Sequence, residues 1–319
     1  MPKVSVQIVT YNSGKDIKTC LDSVFSQSYP IQEVTIIDNQ SSDKTLQIVE
    51  VFNNIKLIKN DYNNGFAGGH NQGIRISKSD YILVLNPDVR LSKDYMKNII
   101  SVMEYDTEIG MATGKLYRDI DMKILDSAGI IIKKNRRAFD RGSGEIDRGQ
   151  YDYSKEIFGV SGAAAVYRRE MIKDISYQGQ FFDESFFAYK EDIDVSWRAL
   201  LLGWKSQYIP DSIAEHGRGW QEEKKRSQVP LYIRQKSYIN RYYCILKNDQ
   251  LSYFALHLPF IIAYEIASFS YAFLRERKLL LVWKSFIREY KHMFEKRKMI
   301  QLNRKKTNKQ IYSYFKGIW

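Results

Sequence analysis

The stretch YILVLNPD, residues 81–88, contains the pattern that decides the fold. Its first five residues form a continuous apolar run, which is typical of a strand buried on both faces of a sheet. Asp88 stands where such a strand would end, and Pro87 stiffens the turn before it. We therefore predict an internal strand that delivers a carboxylate to the edge of a sheet.

The chain before this stretch repeats one alternation of strand and helix. Strands are predicted over residues 4–9, 33–37, 55–58 and 81–85. Helices are predicted with Ile17, Leu21, Val24 and Phe25 on one face and a stop at Tyr29-Pro30, over 43–52, and in a short segment through 74–76. This βαβαβαβ order is typical of an α/β fold, a mostly parallel sheet flanked by helices. Ligands of such sheets bind beyond the carboxyl ends of the strands, where this chain has Thr10, Tyr11, Asn12, Asp38 and Asp88. The alternative is that polar residues occur at strand ends because loops begin there.

Composition bounds the class of protein. The 319 residues are 44% hydrophobic, which allows one large α/β domain and a smaller appendage. The net charge is +12, but residues 275–309 alone carry 13 Lys or Arg against 3 Glu, a net +10. The rest is nearly neutral, which argues against a nucleic-acid-binding fold. The N-terminus does not resemble a secretory signal, and Cys20 and Cys244 are expected to be unpaired, so we expect a cytoplasmic protein.

Three groups of residues are candidates for chemistry. Asp88 is a suitable oxygen ligand for Mg²⁺ or Mn²⁺, although it could instead cap a helix beginning near Ser92. Glu191 and Asp192 lie in the acidic stretch 191–194 behind an aromatic run, where one could act as a general base or all could form a solvated first helical turn. His216 precedes two glycines and is a candidate metal ligand, although a lone histidine is more often structural.

The usual nucleotide-binding motifs are missing. No GxGxxG follows the first strand, and Gly110–Lys115 is one residue short of a P-loop. The glycine-rich stretch 63–73 opens a helix whose N–H groups could face a phosphate or ribose, or it could be an ordinary tight turn. Phosphates must then be held by other means, for which a divalent cation is the usual substitute.

Taken in order, these segments resemble the inverting family-2 glycosyltransferases of the GT-A fold, particularly their bacterial rhamnosyltransferase-like branch. The resemblance covers about residues 4–220. It rests on the segments VSVQIVTYNS (4–13), DNQSSD (38–43), NNGFAGGHNQG (63–73), LVLNPDV (83–89), SGAAAVYRR (161–169), FFAYKEDIDVSWRALLLGW (186–204) and the late His216. Each match is weak alone, and the ordered set is specific.

The resemblance implies a role for each matching position. Asp88 matches the last acid of a DxD metal motif whose first acid is here Asn86, so the metal would rest on Asp88, His216 and the donor diphosphate. Asp192, with Glu191, matches the catalytic ED motif and would deprotonate the acceptor hydroxyl. The nucleotide-sugar site would comprise Thr10, Tyr11, Asn12, Asp38, Asn71 and Asp88, and the acceptor site Gly162, Ala163 and Trp220.

The resemblance also implies an activity. We expect a metal-dependent hexosyltransferase that moves a sugar, best L-rhamnose from dTDP-rhamnose, to a hydroxyl of a glycan or lipid-linked glycan during cell-surface polysaccharide synthesis. The alternatives are a UDP-sugar transferase, galactofuranosyl or another hexosyl, and a non-catalytic nucleotide-sugar-binding module. Mg²⁺ or Mn²⁺ is the expected cofactor.

The C-terminal part has a different composition. We predict a catalytic domain over residues 1–225 and a helical extension over 226–319. Residues 251–274 are almost wholly apolar and aromatic, but Glu265 and Pro259 argue against a membrane-spanning helix. With the basic segment behind it, this run predicts an extension that lies on the inner face of an anionic membrane. Core packing and homo-oligomer formation are the alternatives.

Overall fold

The computed structural model of the chain describes residues 1–118, 121–217 and 229–318. Its first half confirms the predicted alternation. The strands are β1 (Val4–Thr10), β2 (Glu33–Asp38), β3 (Ile55–Lys59) and β4 (Tyr81–Leu85), and the helices between them are α1 (Ile17–Phe25), α2 (Thr45–Val49) and α3 (Gly65–Ile76).

The second half adds the elements whose order the sequence left open. Its strands are β5 (Val89–Leu91), β6 (Ile109–Tyr117), β7 (Leu125–Ser127), β8 (Ile130–Ile132), β9 (Ala138–Asp140), β10 (Glu156–Ile157), β11 (Ala164–Arg168) and β12 (Lys205–His216). Its helices are α4 (Tyr95–Tyr105), α5 (Arg169–Ile175), α6 (Glu191–Leu201), α7 (Leu231–Asn248), α8 (Leu251–Leu256), α9 (Leu258–Arg275), α10 (Trp283–Leu302) and α11 (Asn308–Tyr312), and 3₁₀ turns lie at Glu184–Phe186 and Arg277–Val282.

The main sheet is mixed, with the strand order β10-β12-β6-β11-β4-β1-β2-β3. The predicted parallel pairs are present, β4 to β1, β1 to β2 and β2 to β3. Strand β11 runs antiparallel to both of its neighbours, β4 and β6. The P-loop-like stretch 110–115 lies inside β6, as expected for a strand.

Alternating side chains of the central strands enter two cores on opposite faces of the sheet. On β4, Leu83 and Leu85 pack with helices α1, α2 and α4, while Ile82 and Val84 pack with α3, α5 and α6. This alternation is the two-residue period of a strand buried on both faces. The continuous apolar run at 81–85 therefore has the environment that its composition predicts.

The C-terminal helices share the second of these cores. Apolar residues of α7, α10 and α11 are buried with those of α6. A buried ionic cluster reinforces this contact, because Lys247 of α7 bonds Asp194 at 2.9 Å and Asp183 at 2.6 Å, and Lys296 of α10 bonds Asp183 at 2.6 Å. Lys296, which belongs to the basic segment 275–309, is therefore a buried structural residue and not part of the basic surface. The domain boundary at 225/226 stays a prediction.

Helix α9 holds most of the apolar run 251–274. Among the described residues, no helix is both long and apolar enough to cross a membrane. Glu265, which argued against a span, pairs with Arg241 and accepts a hydrogen bond from Tyr242 within the protein. The outer side of α9 nevertheless exposes large apolar side chains, Ile266 at 63% among them. Membrane association of this extension stays a prediction.

Candidate active site

A short antiparallel pair brings the two predicted metal ligands together. Strand β5 begins directly after Asp88 and pairs with β12 so that Val89 lies opposite His216. Asp88 therefore meets the end of β12, and its carbonyl accepts a hydrogen bond from the Gly217 N–H at 3.0 Å. The His216 Nε2 lies 3.4 Å from the Asp88 Oδ1. The sheet register is thus the reason why residues 128 positions apart in sequence form one site.

A second carboxylate, that of Asp126, bonds the ring nitrogen of His216 that faces away from Asp88. The His216 Nδ1 lies 2.8 Å from the Oδ2 of Asp126 on β7, and Asp126 is fully buried. Burial by itself lowers the pKa of His216, but the hydrogen bonds to Asp126 and Asp88 outweigh it and raise the pKa to about 9. A carboxylate on Nδ1 also directs Nε2 toward Asp88, which is the usual support of a metal-binding histidine.

The donor set fits a divalent cation with an incomplete protein shell. Asp88 offers a hard oxygen, and His216 offers an orientated imidazole nitrogen once a cation displaces the proton that the raised pKa places there; both groups are acceptable to Mn²⁺. Within 1–118, 121–217 and 229–318, no group of three or more His, Cys, Asp or Glu is arranged to hold a metal ion. A cation here would need further oxygens from a ligand, as the replacement of the first DxD acid by Asn86 predicts.

A strained loop precedes Glu191 and Asp192, which we call the acidic pair. Phe187, Tyr189 and Lys190 have positive φ angles of 64°, 70° and 69°, and α6 begins with Glu191 immediately afterwards. Such angles cost roughly 1–3 kcal/mol per non-glycine residue and persist only where surrounding contacts impose them. The contacts come from Asn240 of α7, whose Nδ2 donates to the carbonyls of residues 186, 188 and 189 at 2.8–3.0 Å.

The two acids have different surroundings. Asp192 is half-buried, and its carboxylate accepts hydrogen bonds from the N–H of Gly162 at 3.2 Å and of Ile193 at 2.8 Å. Burial and the charge of Asp140 raise its pKa above the usual range for aspartate. Glu191 is 6% exposed, and burial together with the Asp192 charge raises its pKa to about 8. Burial thus favours the neutral form of both acids, and the two backbone N–H groups at Asp192 stabilise its charged form.

One cleft of about 610 Å³ joins these groups. Its lining includes the predicted residues Tyr11, Asn12, Asp88, Gly162, Ala163, Glu191, Asp192 and His216. The side chain of Tyr11 is exposed at the rim, where an aromatic ring can stack on a planar ligand. Asp88 and His216 thus face the same space as Glu191 and Asp192.

The other predicted donor-site residues lie behind the wall of the cleft. Thr10 donates to Asp38 at 2.8 Å, and Asp38 accepts from the N–H and hydroxyl of Ser41, which ties the ends of β1 and β2 together. The amide of Asn71 is bonded in both directions to the Phe182 backbone. These three side chains are almost fully buried, so they support the wall of the cleft and do not line it. Trp220 lies outside the described residues.

Sequence reasoning missed four residues around the cleft. Asp126 holds His216, Asp140 shifts the pKa of Asp192, Asn240 braces the loop before α6, and Tyr232 of α7 lines the cleft beside Phe187. None of the four belongs to a recognisable motif. Their only sequence signal is that each is polar or aromatic in a stretch that otherwise reads as structural.

Comparison with known proteins identifies the family. The profile of glycosyl transferase family 2 matches residues 5–176, more than half of the chain. The chain belongs to glycosyl transferase family 2. Among family relatives, it is similar to the poly-beta-1,6-N-acetyl-D-glucosamine synthases of Staphylococcus epidermidis (26% identity over 213 residues) and Staphylococcus aureus (25% over 210 residues). These matches cover 66% and 65% of this chain and 48% of each relative, so the chain spans about half the length of these curated relatives.

Solved structures share the fold at low sequence identity. GalNAc-T7 with UDP, GalNAc and Mn²⁺ matches with a TM-score of 0.62 and 14% identity, over 92% of this chain and 57% of that one. Residues 1–349 of S. aureus TarS with UDP-GlcNAc match with a TM-score of 0.59 and 17% identity, over 98% and 89%. The mannosyltransferase PcManGT of Pyrobaculum calidifontis with GDP-Man and Mn²⁺ matches with a TM-score of 0.55 and 15% identity, over 95% and 86%. These likenesses support the GT-A-like fold.

Proposed function

We propose that this protein is an inverting transferase that moves a sugar from a nucleotide-diphosphate donor to a hydroxyl of a glycan or lipid-linked glycan. The observation that carries the proposal is the single cleft shared by two pairs of residues, Asp88 with His216 and Glu191 with Asp192. One pair suits the diphosphate side of a donor and the other the hydroxyl of an acceptor. Family membership supports the reaction class.

In the proposed step, Asp192 takes the proton of the acceptor hydroxyl as its oxygen bonds to the anomeric carbon. The bond from that carbon to the diphosphate oxygen breaks on the opposite face, which inverts the configuration, and the nucleoside diphosphate leaves with the electron pair. The N–H of Gly162 holds the carboxylate of Asp192 in place. General-base assistance of this kind contributes about 10²–10⁴-fold to the rate.

We also propose that Asp88 and His216 hold Mg²⁺ or Mn²⁺ beside the donor diphosphate, with Asp126 fixing the imidazole. A cation in that position supplies positive charge that stabilises the leaving group. The Mn²⁺ in the structures of GalNAc-T7 and PcManGT supports this choice. Tyr11 and Asn12 would contact the nucleoside from the rim, with Thr10, Asp38 and Asn71 supporting that wall from behind.

The central test is Asp192→Asn. We expect transfer to fall at least about 100-fold while donor binding, measured by calorimetry with Mn²⁺ present, stays within a factor of two or so of wild type. Asp121→Asn, an exposed charge on the same protein, is the matched control and keeps full transfer. Near-normal turnover by Asp192→Asn would place the base elsewhere. Absence of donor hydrolysis by wild type with either metal would favour the non-catalytic alternative.

The donor sugar can be chosen by a direct screen. The sequence resemblance favours dTDP-rhamnose. The similar proteins instead favour a UDP-linked amino sugar, because the synthases are named for an N-acetylglucosamine polymer and a TarS structure contains UDP-GlcNAc. Thermal stabilisation by dTDP-rhamnose, UDP-GlcNAc and UDP-galactofuranose, each with Mn²⁺, separates these candidates. The largest rise in melting temperature identifies the donor.

We propose further that the exposed face of α9 rests on the inner surface of a membrane, where a lipid-linked acceptor resides. Leu258, Ile262, Ile266, Phe269 and Phe273 recur at helical spacing along this face and are each 37–63% exposed. Ile266→Glu should release the protein from anionic vesicles in a flotation assay. Val51→Glu, an equal change on a remote exposed residue, should remain bound. Release of wild type by a low-salt wash alone would contradict membrane binding.

A further inference from the structure

A second cavity of about 490 Å³ adjoins the cleft, between α7, α9 and the hairpin of β8 and β9. Its lining is aromatic and cationic, and includes Arg137, Lys190, Arg241, Tyr242, Tyr264 and Tyr271. None of the described residues that line it is acidic. Lys190 lines both this cavity and the catalytic cleft, and the next two residues in the chain are Glu191 and Asp192. The cavity therefore opens beside the acidic pair.

Two of the cations of this cavity lie against the same aromatic ring. The guanidinium of Arg241 lies 4.6 Å from the centre of the Tyr264 ring, and that of Arg137 lies 5.4 Å from the same ring. The preceding residue, Arg136, is buried and bonded to Asp249 at 2.8 Å, which fixes the hairpin against the C-terminal helices. The planar guanidinium fork is pre-organised, so it loses little freedom when it binds a phosphate or carboxylate.

Part of the hydrogen-bonding capacity of these cations is unused. Arg241 is 7% exposed, and two of its nitrogens are bound, Nη1 to Glu265 and Nη2 to the carbonyl of Asn135. Its Nε is buried without an acceptor in the described part of the chain. The ammonium of Lys190 likewise bonds no described residue, and burial lowers its pKa, with the charge of Arg241 adding to that effect. A donor without an acceptor is costly, and an anionic ligand in the cavity would supply the acceptor that the Lys190 ammonium lacks.

Helix α9 relates this cavity to the apolar face. Tyr264, Ala267, Ser268 and Tyr271 line the cavity, whereas the exposed apolar residues lie at 258, 262, 266, 269 and 273. At about 100° per residue, the two sets fall on nearly opposite sides of the helix. One helix therefore has an apolar outer side and an inner side that lines the cationic cavity.

We propose that this cavity binds the phosphate or diphosphate group of the acceptor and so directs the acceptor hydroxyl toward Asp192. The inference rests on the proposed transferase function, because it names the chemical class of that acceptor. A phosphate on a lipid and a phosphate on a soluble glycan share this chemistry. The cavity would bind the phosphate from either source. Only a lipid-borne phosphate would also need the apolar face of α9, which would rest on the membrane.

The first experiment titrates inorganic pyrophosphate into the full chain by calorimetry with EDTA present, so that no divalent metal supports binding at Asp88 and His216. Arg137→Ala should weaken binding about tenfold, and Arg137→Lys should restore part of the loss. Arg288→Ala removes the same charge from an exposed site on α10 and should bind like wild type. Arg137 is an exposed side chain, so folding of the variant is expected and is checked by melting temperature.

The second experiment separates the sources with phosphatidylcholine vesicles that do or do not contain farnesyl diphosphate. If the phosphate is carried by a lipid, farnesyl diphosphate increases vesicle binding in an Arg137-dependent manner, and Ile266→Glu abolishes the increase without affecting pyrophosphate binding. If it is carried by a soluble glycan, only free pyrophosphate binds. Equal pyrophosphate affinity of wild type and Arg137→Ala overturns the inference. That outcome is distinct from failure of the proposed function, which is read from donor hydrolysis by wild type.

Discussion

Replacing Asn240 tests whether the C-terminal helices position the catalytic acid. The Nδ2 of Asn240 lies within 3.0 Å of three carbonyls of the segment 186–189, and its two hydrogens can satisfy two of them well at any moment. Asn240→Ala removes these bonds from a fully buried site and leaves the carbonyls of Ala188 and Tyr189 without this donor, whereas the Phe186 carbonyl still accepts from the Ala188 N–H at 2.7 Å. At about 1 kcal/mol per lost bond, with about 1 kcal/mol more for each buried acceptor left unpaired, the free energy of unfolding should fall by roughly 2–4 kcal/mol.

The effect on catalysis follows from the strain in the loop. Without Asn240, the loop that holds Phe187, Tyr189 and Lys190 at positive φ keeps the bond from the Ala67 N–H to the Phe187 carbonyl but loses its side-chain brace from α7, so we expect it to relax together with the start of α6. A shift of about 1 Å in a reacting group can cost about 100-fold in rate. We therefore expect kcat to fall about 10–100-fold, with the KM for the donor unchanged.

The assay pairs steady-state kinetics with urea denaturation. Asn248→Ala is the matched control, because Asn248 is a buried asparagine of the same helix whose Nδ2 donates to Asp194 in the body of α6, at 2.9 Å. It should lose comparable stability and keep kcat within a few-fold of wild type. If Asn240→Ala loses stability but retains wild-type kcat well below its melting temperature, or if both variants lose kcat equally, the positioning argument is refuted.

Three further changes test the remaining contacts. Asp126→Asn removes the carboxylate that orientates His216. The Mn²⁺-dependent part of the donor affinity, measured by calorimetry, should fall about 10–100-fold. An unchanged affinity would show that His216 does not bind the metal. The pKa of Glu191 is raised from its usual 4.5 to about 8 in the folded protein. The free energy of unfolding is therefore highest below pH 4.5, where Glu191 is protonated in both states, and it falls as the pH rises toward 8, by about 1.4 kcal/mol per pKa unit. Glu191→Gln should therefore flatten the fall in unfolding free energy over this range, and a wild-type slope in the variant would contradict the raised pKa. Gly65→Ala adds a Cβ at φ 71° that would lie 2.4 Å from the Phe187 carbonyl, so both melting temperature and kcat should fall, whereas Gly179→Ala, also at positive φ but in open space, should lower only the melting temperature.

Part of this molecule can be predicted from local sequence patterns. The apolar run at 81–85 and the β-branched strands before it indicate the parallel part of the sheet, β4-β1-β2-β3, because a strand buried on both faces must be apolar throughout. The predicted mostly parallel sheet is wrong for the other half, where β11 runs antiparallel to both of its neighbours. The order of polar residues after those strands indicates the binding edge, and Asp88, Glu191 and Asp192 do line the cleft there. These features depend on neighbours in sequence, which is why periodicity and turn chemistry reveal them.

Tertiary structure alone decided the rest. The antiparallel register of β5 and β12 makes Asp88 and His216 neighbours, and no local pattern encodes that register. Asp126 and Asn240 act through partners 90 and more than 50 positions away, so their environment arises only when the sheet and the C-terminal helices close around them. Most of the apolar run 251–274 likewise becomes α9, a helix with one cavity-lining and one exposed side, because its burial depends on which side packs against α7. Local sequence determines the strands and supplies the reactive side chains, whereas packing determines which of those side chains lie together.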